Sequence, residues 1–324
     1  MSKLRLSVMV VGPFLILVSS LGLTRWARSD APQVTSSNIV VRGQSPATVT
    51  FAATKRTTTA DPKSLDRACA TAAKELQTNL GTGCAVIVHP PFVVGGDMSQ
   101  AKLEKWYAQT ISPAATAMAS SYFRRTPDRP ITVLLFGSQQ TYDAYAEKLF
   151  GDKGISVYGY YKPRERTLVM NIATGGGTLV HELTHALIDF DFPDVPDWFN
   201  EGLASLHEQC RFREGPGGPW IEGLENWRLP ALQQAVRRKQ LRTLSSLIQS
   251  DDFRGQDVGI NYAQARYFCM YLQRKQLLAE YFKRFHAGAK QDPRGYQTVM
   301  EVLPDRSWSE LDREFNAWVL TLAY

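Results

Sequence analysis

The sequence has few cysteines, and they are not spaced to bind a metal. Cys69, Cys84, Cys210 and Cys269 form no C-x-x-C pair, which argues against a cysteine zinc site. Also missing is any cluster of Lys and Arg interleaved with aromatic residues. The formal net charge of +6 is spread along the chain, so the pattern gives no support for nucleic acid as a partner. It reads instead as a general preference for anionic surroundings, such as an envelope surface. No internal repeat occurs, and nothing in the sequence sets an oligomeric state. What is present is an apolar content of 44% over 324 residues, ordinary for a globular chain with a sizeable core.

The N-terminus is the first informative segment. Lys3 and Arg5 precede an apolar run from Leu6 to Leu23, a positive region followed by a hydrophobic one. The run is near the lower length limit for a membrane-spanning helix, and Trp26 between Arg25 and Arg28 suits a membrane interface. Residues 1–30 therefore read as a signal peptide or an uncleaved membrane anchor, and residues 31–63 as a Ser/Thr/Pro-rich linker with a short strand near Thr48–Ala52. Both readings of the leader place the body outside the cytoplasm, periplasmic, extracellular or membrane-anchored. Four cysteines fit that compartment. A Cys69–Cys84 bridge would tie a helix to the strand after it, with four buried thiols as the alternative.

The rest, residues 64–324, reads as one domain of α+β class. A helix is expected over Ser64–Leu80, short strands over Cys84–His89 and Phe92–Val94, and a long helical stretch over Gln100–Phe123, with Pro113 marking a kink or a start. Ile131–Phe136 is a buried strand, Ser138–Leu149 a helix, and Val157–Ile172 a hairpin. From Thr178 onward the pattern is mainly helical. A mixed helix/strand half thus precedes a helical half.

His181-Glu182-Leu183-Thr184-His185 has the form H-E-x-x-H. Residues four apart share a helix face, so two imidazoles can take adjacent corners of one zinc tetrahedron. Glu182 is placed to reach water on the metal, as a general base. Thr178 is the expected N-cap, and Leu179, Val180, Leu183, Ala186 and Leu187 supply the apolar face. The string alone is only moderately specific, because a zinc site needs a third protein ligand. The extension H-E-x-x-H-x-x-G-x-x-H is absent, since Ile188 and Asp191 stand in those places. A turn over Pro193–Asp197 follows, and then a second helix, Trp198-Phe199-Asn200-Glu201-Gly202-Leu203-Ala204, with Asp197 as the expected N-cap. Glu201 in its first turn is the candidate third ligand, and Gly202 would let the two ligand helices approach closely.

H-E-x-x-H followed by W-x-x-E-G-x-A resembles the gluzincin zinc metallopeptidases, and within them the peptidase-MA-like group, over roughly residues 90–320. The resemblance implies a thermolysin-like core with zinc held by His181, His185 and Glu201, and a peptide or protein substrate. Glu201 follows His185 by sixteen positions, an unusually short interval, so the link between the helices must be compact. The G-x-M-E-N string of related aminopeptidases is absent, which favours an endopeptidase. Within Asn261-Tyr262-Ala263-Gln264-Ala265-Arg266, Tyr262 matches the oxyanion donor of such enzymes, with Arg266 a weaker second.

Asp189, Asp191, Asp194 and Asp197 could orient a ligand imidazole, with turn and cap roles as the alternative. His89, His207 and His286 lack metal spacing. Tyr158, Tyr160 and Tyr161 either line a substrate cleft or pack across strands. Two further function classes fit the sequence: a catalytically silent envelope binding or scaffold module, against which an intact Glu182 argues, and a zinc hydrolase of a non-peptide amide.

Overall fold

The structure is a computed structural model, and it describes residues 62–215 and 217–324. The leader, its membrane run and the strand expected near Thr48–Ala52 lie outside the described residues. Among the described residues, no helix is long and apolar enough to cross a membrane.

The first half is a five-stranded sheet with helices, and the class is α+β. α1 (Pro62–Leu80) leads into β1 (Ala85–His89) and β2 (Phe92–Gly96), an antiparallel pair. α1 begins within the stretch expected as linker. α2 (Gln100–Trp106) and α3 (Ser112–Ser121) are joined by a π-helical turn over Tyr107–Ile111. Pro113 sits in the first turn of α3, and the widened turn just before it lets the chain stay helical where an N–H is lost. β3 (Ile131–Phe136) is almost wholly buried, as its continuous apolar run predicts. α4 (Gln139–Phe150) is capped by Ser138, whose hydroxyl accepts from the Thr141 N–H at 3.2 Å. β4 (Gly159–Lys162) and β5 (Thr167–Asn171) form the expected hairpin. The strand order is β1-β2-β3-β5-β4, with parallel pairs at the centre and antiparallel strands at both edges.

The second half begins with α5 (Gly177–Asp191) and α6 (Asp197–His207), followed by the hairpin of β6 (Cys210–Arg213) and β7 (Trp220–Gly223). Then come α7 (Leu229–Arg237), α8 (Leu244–Gln249), α9 (Val258–Arg274), α10 (Leu278–Gly288), α11 (Tyr296–Val302) and α12 (Trp308–Thr321). α5 lies against β4 and β5, with Leu179, Val180, Leu183, Ala186 and Leu187 buried as its apolar spacing requires. Buried apolar residues of one sheet face and of the helical half belong to one contiguous cluster, while Leu134, Phe136 and Val169 on the other face pack with Leu80, Tyr142 and Ala146 in a second.

Several local expectations are corrected. Gly176, not Thr178, occupies the N-cap of α5. Gly177 opens the helix because it is pressed against the end of α6: a Cβ there would lie 2.4 Å from the Glu208 carbonyl. Pro196, not Asp197, is the N-cap of α6, and Asp197 is the first helical residue. Glu201 therefore falls in the second turn. All four cysteines are free thiols; Cys84 instead meets the Tyr145 hydroxyl at 3.2 Å. Gly202 does allow a close approach, but to α9 rather than to α5. A Cβ at Gly202 would lie 3.0 Å from both the Ala265 carbonyl oxygen and Cys269 Sγ.

That crossing sets the level at which α6 and α9 meet. Gly202→Val should strain it and lower stability by about 1–3 kcal/mol, as other overpacked cores do. Chemical denaturation of the variant against wild type checks this; an unchanged midpoint would mean that the helices part freely.

Candidate metal centre

α5 presents His181 and His185 one turn apart, and the short turn after it swings α6 back so that Glu201 faces them. His181 Nε2 and His185 Nε2 are 3.1 Å apart, and Glu201 Oε2 is 3.5 Å from each. A tetrahedral ion with ligand bonds of about 2.0–2.1 Å needs donor atoms about 3.3 Å apart. The three edges bracket that length, so this group could hold a metal ion. Its donors, two imidazole nitrogens and one carboxylate oxygen, belong to the first-row divalent metals rather than to calcium or magnesium.

The same triad sets the local electrostatics. Burial works to raise the Glu201 carboxyl, but the two imidazoles outweigh it and hold the group well below the usual carboxylate range. Burial works to lower His185, but Glu201 and Glu182 outweigh it and raise the imidazole to about 9. Glu182 goes the other way. Burial raises its carboxyl, and the histidine charges only partly offset this.

Glu182 faces the sheet edge. The Asn171 N–H donates to the Tyr158 carbonyl at 3.0 Å, which fixes the alternation of the β4–β5 ladder. The backbone groups of Gly159 and Tyr161 consequently point outward, and the Tyr161 N–H donates to Glu182. The three tyrosines separate. Tyr161 turns to α5 and donates to Asp189 at 3.1 Å. Tyr160 turns to the opposite side and donates to Asp152, and Tyr158 is exposed.

Two residues of the centre escaped the sequence reading. Asn200 Oδ1 lies 2.8 Å from His185 Nδ1, so an amide fixes that ring where an aspartate was expected. It stands beside Glu201 in the motif, in a position read only as filler. Arg254, in the segment between α8 and α9, donates to Glu201 Oε1 at 2.5 Å, to Asp197 Oδ2 at 3.2 Å and to the Tyr262 hydroxyl at 2.9 Å. No local spacing marks it, because it is 53 positions from Glu201.

Tyr262 does belong to the centre. Burial and then the Glu201 carboxylate push its phenol upward, so it keeps its proton. Arg266 does not belong to it. It is fully buried, donates to the Leu224 carbonyl, and is lowered to about 10 chiefly by burial. Of the aspartates, Asp191 accepts from the Arg124 and Arg125 N–H groups, and Asp197 holds Arg254. His89 pairs with Glu104, and His286 meets the Asp191 carbonyl.

His207 lies behind the ligand helix, wholly buried, with Nδ1 3.1 Å from the Thr184 hydroxyl. The Thr184 hydroxyl also donates to the Val180 carbonyl at 2.7 Å, so the spacer of the motif is tied into the core. Burial first, then Arg266 and His181, lowers His207 to about 3.

No protein-family model and no curated protein matches the chain. The family resemblance therefore stands on the motif residues alone.

Asn200→Ala should free the His185 ring and weaken metal binding about 10–100-fold, measured by competition with a chromophoric chelator. His207 predicts an acid-sensitive core. The unfolded chain takes up its proton below 6.5, while the folded chain resists until about 3, so folding stability falls as pH drops through that window. The loss approaches about 1.4 kcal/mol per pH unit for this one group. Denaturant titrations of wild type and His207→Gln from pH 7 to 4 check it: the advantage of wild type should shrink with acid.

Proposed function

We propose that the chain is a zinc-dependent peptidase of gluzincin type, with a thermolysin-like core, hydrolysing peptide bonds. The supporting observation is the conjunction of a metal-sized donor triangle with a buried carboxylate beside it. Zinc suits the two-imidazole, one-carboxylate set, and when bound it supplies a Lewis acid and an acidified water. Every other part is supplied by the protein.

Glu182 is the general base. Its carboxylate accepts a proton from the attacking water and delivers it to the leaving amine nitrogen. Burial makes it more basic than an exposed glutamate, which favours that task. Asn200 holds His185 in one orientation. Tyr262 keeps its proton and accepts from Arg254, so its O–H is aimed into the centre, where a developing oxyanion can compete with Glu201 for it. The outward Gly159 groups and the Tyr161 carbonyl of β4, the Tyr161 N–H being held by Glu182, offer backbone partners beside Glu182 to which an extended peptide can add as a further strand. Those partners favour a peptide over other amides.

Metal content and cleavage of a peptide library should be measured for wild type and Glu182→Gln. Wild type should bind one zinc per chain. The variant should keep the metal and lose about 10²–10⁴-fold in cleavage rate. Wild type without stoichiometric metal sinks the reading. Metal with no cleavage by either protein points to a binding module, and full activity in the variant removes Glu182 as base.

A further inference from the structure

We propose that Arg254 is a positioning residue that restricts Glu201 to ligation through one oxygen, keeping the centre at low coordination number. This rests on the metal-centre reading above. The two oxygens of Glu201 are already divided between two tasks. Oε2 is equidistant from the histidines, 3.5 Å from each, on the metal side. Oε1 receives Arg254 Nη2 at 2.5 Å. Two-oxygen ligation would require Oε1 to turn toward the ion and abandon that charge-assisted hydrogen bond.

The guanidinium cannot follow such a turn, because each of its three nitrogens has a different partner. Nε holds Asp197 at 3.2 Å, Nη1 holds the Tyr262 hydroxyl at 2.9 Å, and Nη2 holds Glu201. Those partners come from the first turn of α6, from α9 and from the ligand itself. The segment carrying Arg254 is anchored as well. Phe253 is buried, and its carbonyl accepts from Asn261 Nδ2 at 2.9 Å. A planar fork with fixed donor directions can satisfy three partners at once, whereas the single ammonium of a lysine cannot keep that geometry. Withdrawing charge from Glu201 through Oε1 also makes it a weaker donor and leaves a bound ion more Lewis-acidic.

Substitution with cobalt(II) reads coordination directly, because four-coordinate cobalt absorbs visible light much more intensely than five- or six-coordinate cobalt. The full chain, stripped of metal, is titrated with cobalt(II) as wild type, Arg254→Met and Arg254→Lys, with circular dichroism of the metal-free proteins as the folding control. Wild type should give the intense spectrum. Arg254→Met should still bind metal, no more weakly than wild type because Glu201 becomes the stronger donor, and should give a several-fold weaker band as Glu201 closes on the ion with both oxygens. Arg254→Lys should fall between the two, and it decides the matter if Arg254→Met fails to fold. An unchanged band in the folded variants overturns the proposal, even with weaker binding, and leaves the metal centre standing. Wild type that binds neither cobalt nor zinc overturns the metal centre and this proposal with it.

Discussion

The centre depends on keeping the Glu201 carboxylate charged while only 4% of the residue is exposed. A carboxylate stripped of water is costly unless partners replace the water around it. Here four groups come from three places: two imidazoles on α5, a guanidinium before α9, and a phenol on α9. No single element could supply them, so the compensation is tertiary. It ties the ligand helices to the distant helical half and explains why α6 and α9 cross so closely at Gly202. The crossing puts Ala265 against Gly202 and so, one turn earlier on α9, Tyr262 beside Glu201.

What was legible in the sequence follows the same division. His181, Glu182 and His185 are a local pattern, and their shared surroundings follow from helix geometry alone. Glu201 was legible because the turn before it is short, which leaves few ways to orient α6. The buried strands and the β4–β5 hairpin were legible from apolar runs and turn residues. Arg254 was not, because its role depends on three contacts far apart in the chain, and an arginine in a polar segment looks like any solvated one. Asn200 was in plain view, but only its 2.8 Å approach to His185 separates it from a neutral helix residue. The caps were misplaced for a steric reason. The close approach of Gly177 to Glu208 begins α5 earlier than hydroxyl capping would suggest.

Glu182 and Glu201 have the same chemistry and lie beside the same histidines, one on their own helix and one on the next, yet they are driven in opposite directions. The difference lies in what faces each. Glu201 meets the imidazoles directly and has a guanidinium on its other oxygen, so its charged form is favoured despite burial. Glu182 faces the outer edge of β4, where its partner is the neutral Tyr161 N–H. The same imidazoles lower Glu182 through charge alone while the Glu201 carboxylate raises it, so with one N–H dipole added the burial still prevails and Glu182 keeps a higher proton affinity. Two carboxylates in one centre thus acquire separate aptitudes, one as a permanently charged ligand and one as a proton carrier. The edge strand contributes to the Glu182 outcome by presenting a neutral N–H at that point. A cationic side chain in place of that N–H would pull Glu182 down toward Glu201 and leave two ligand-like carboxylates with no base between them.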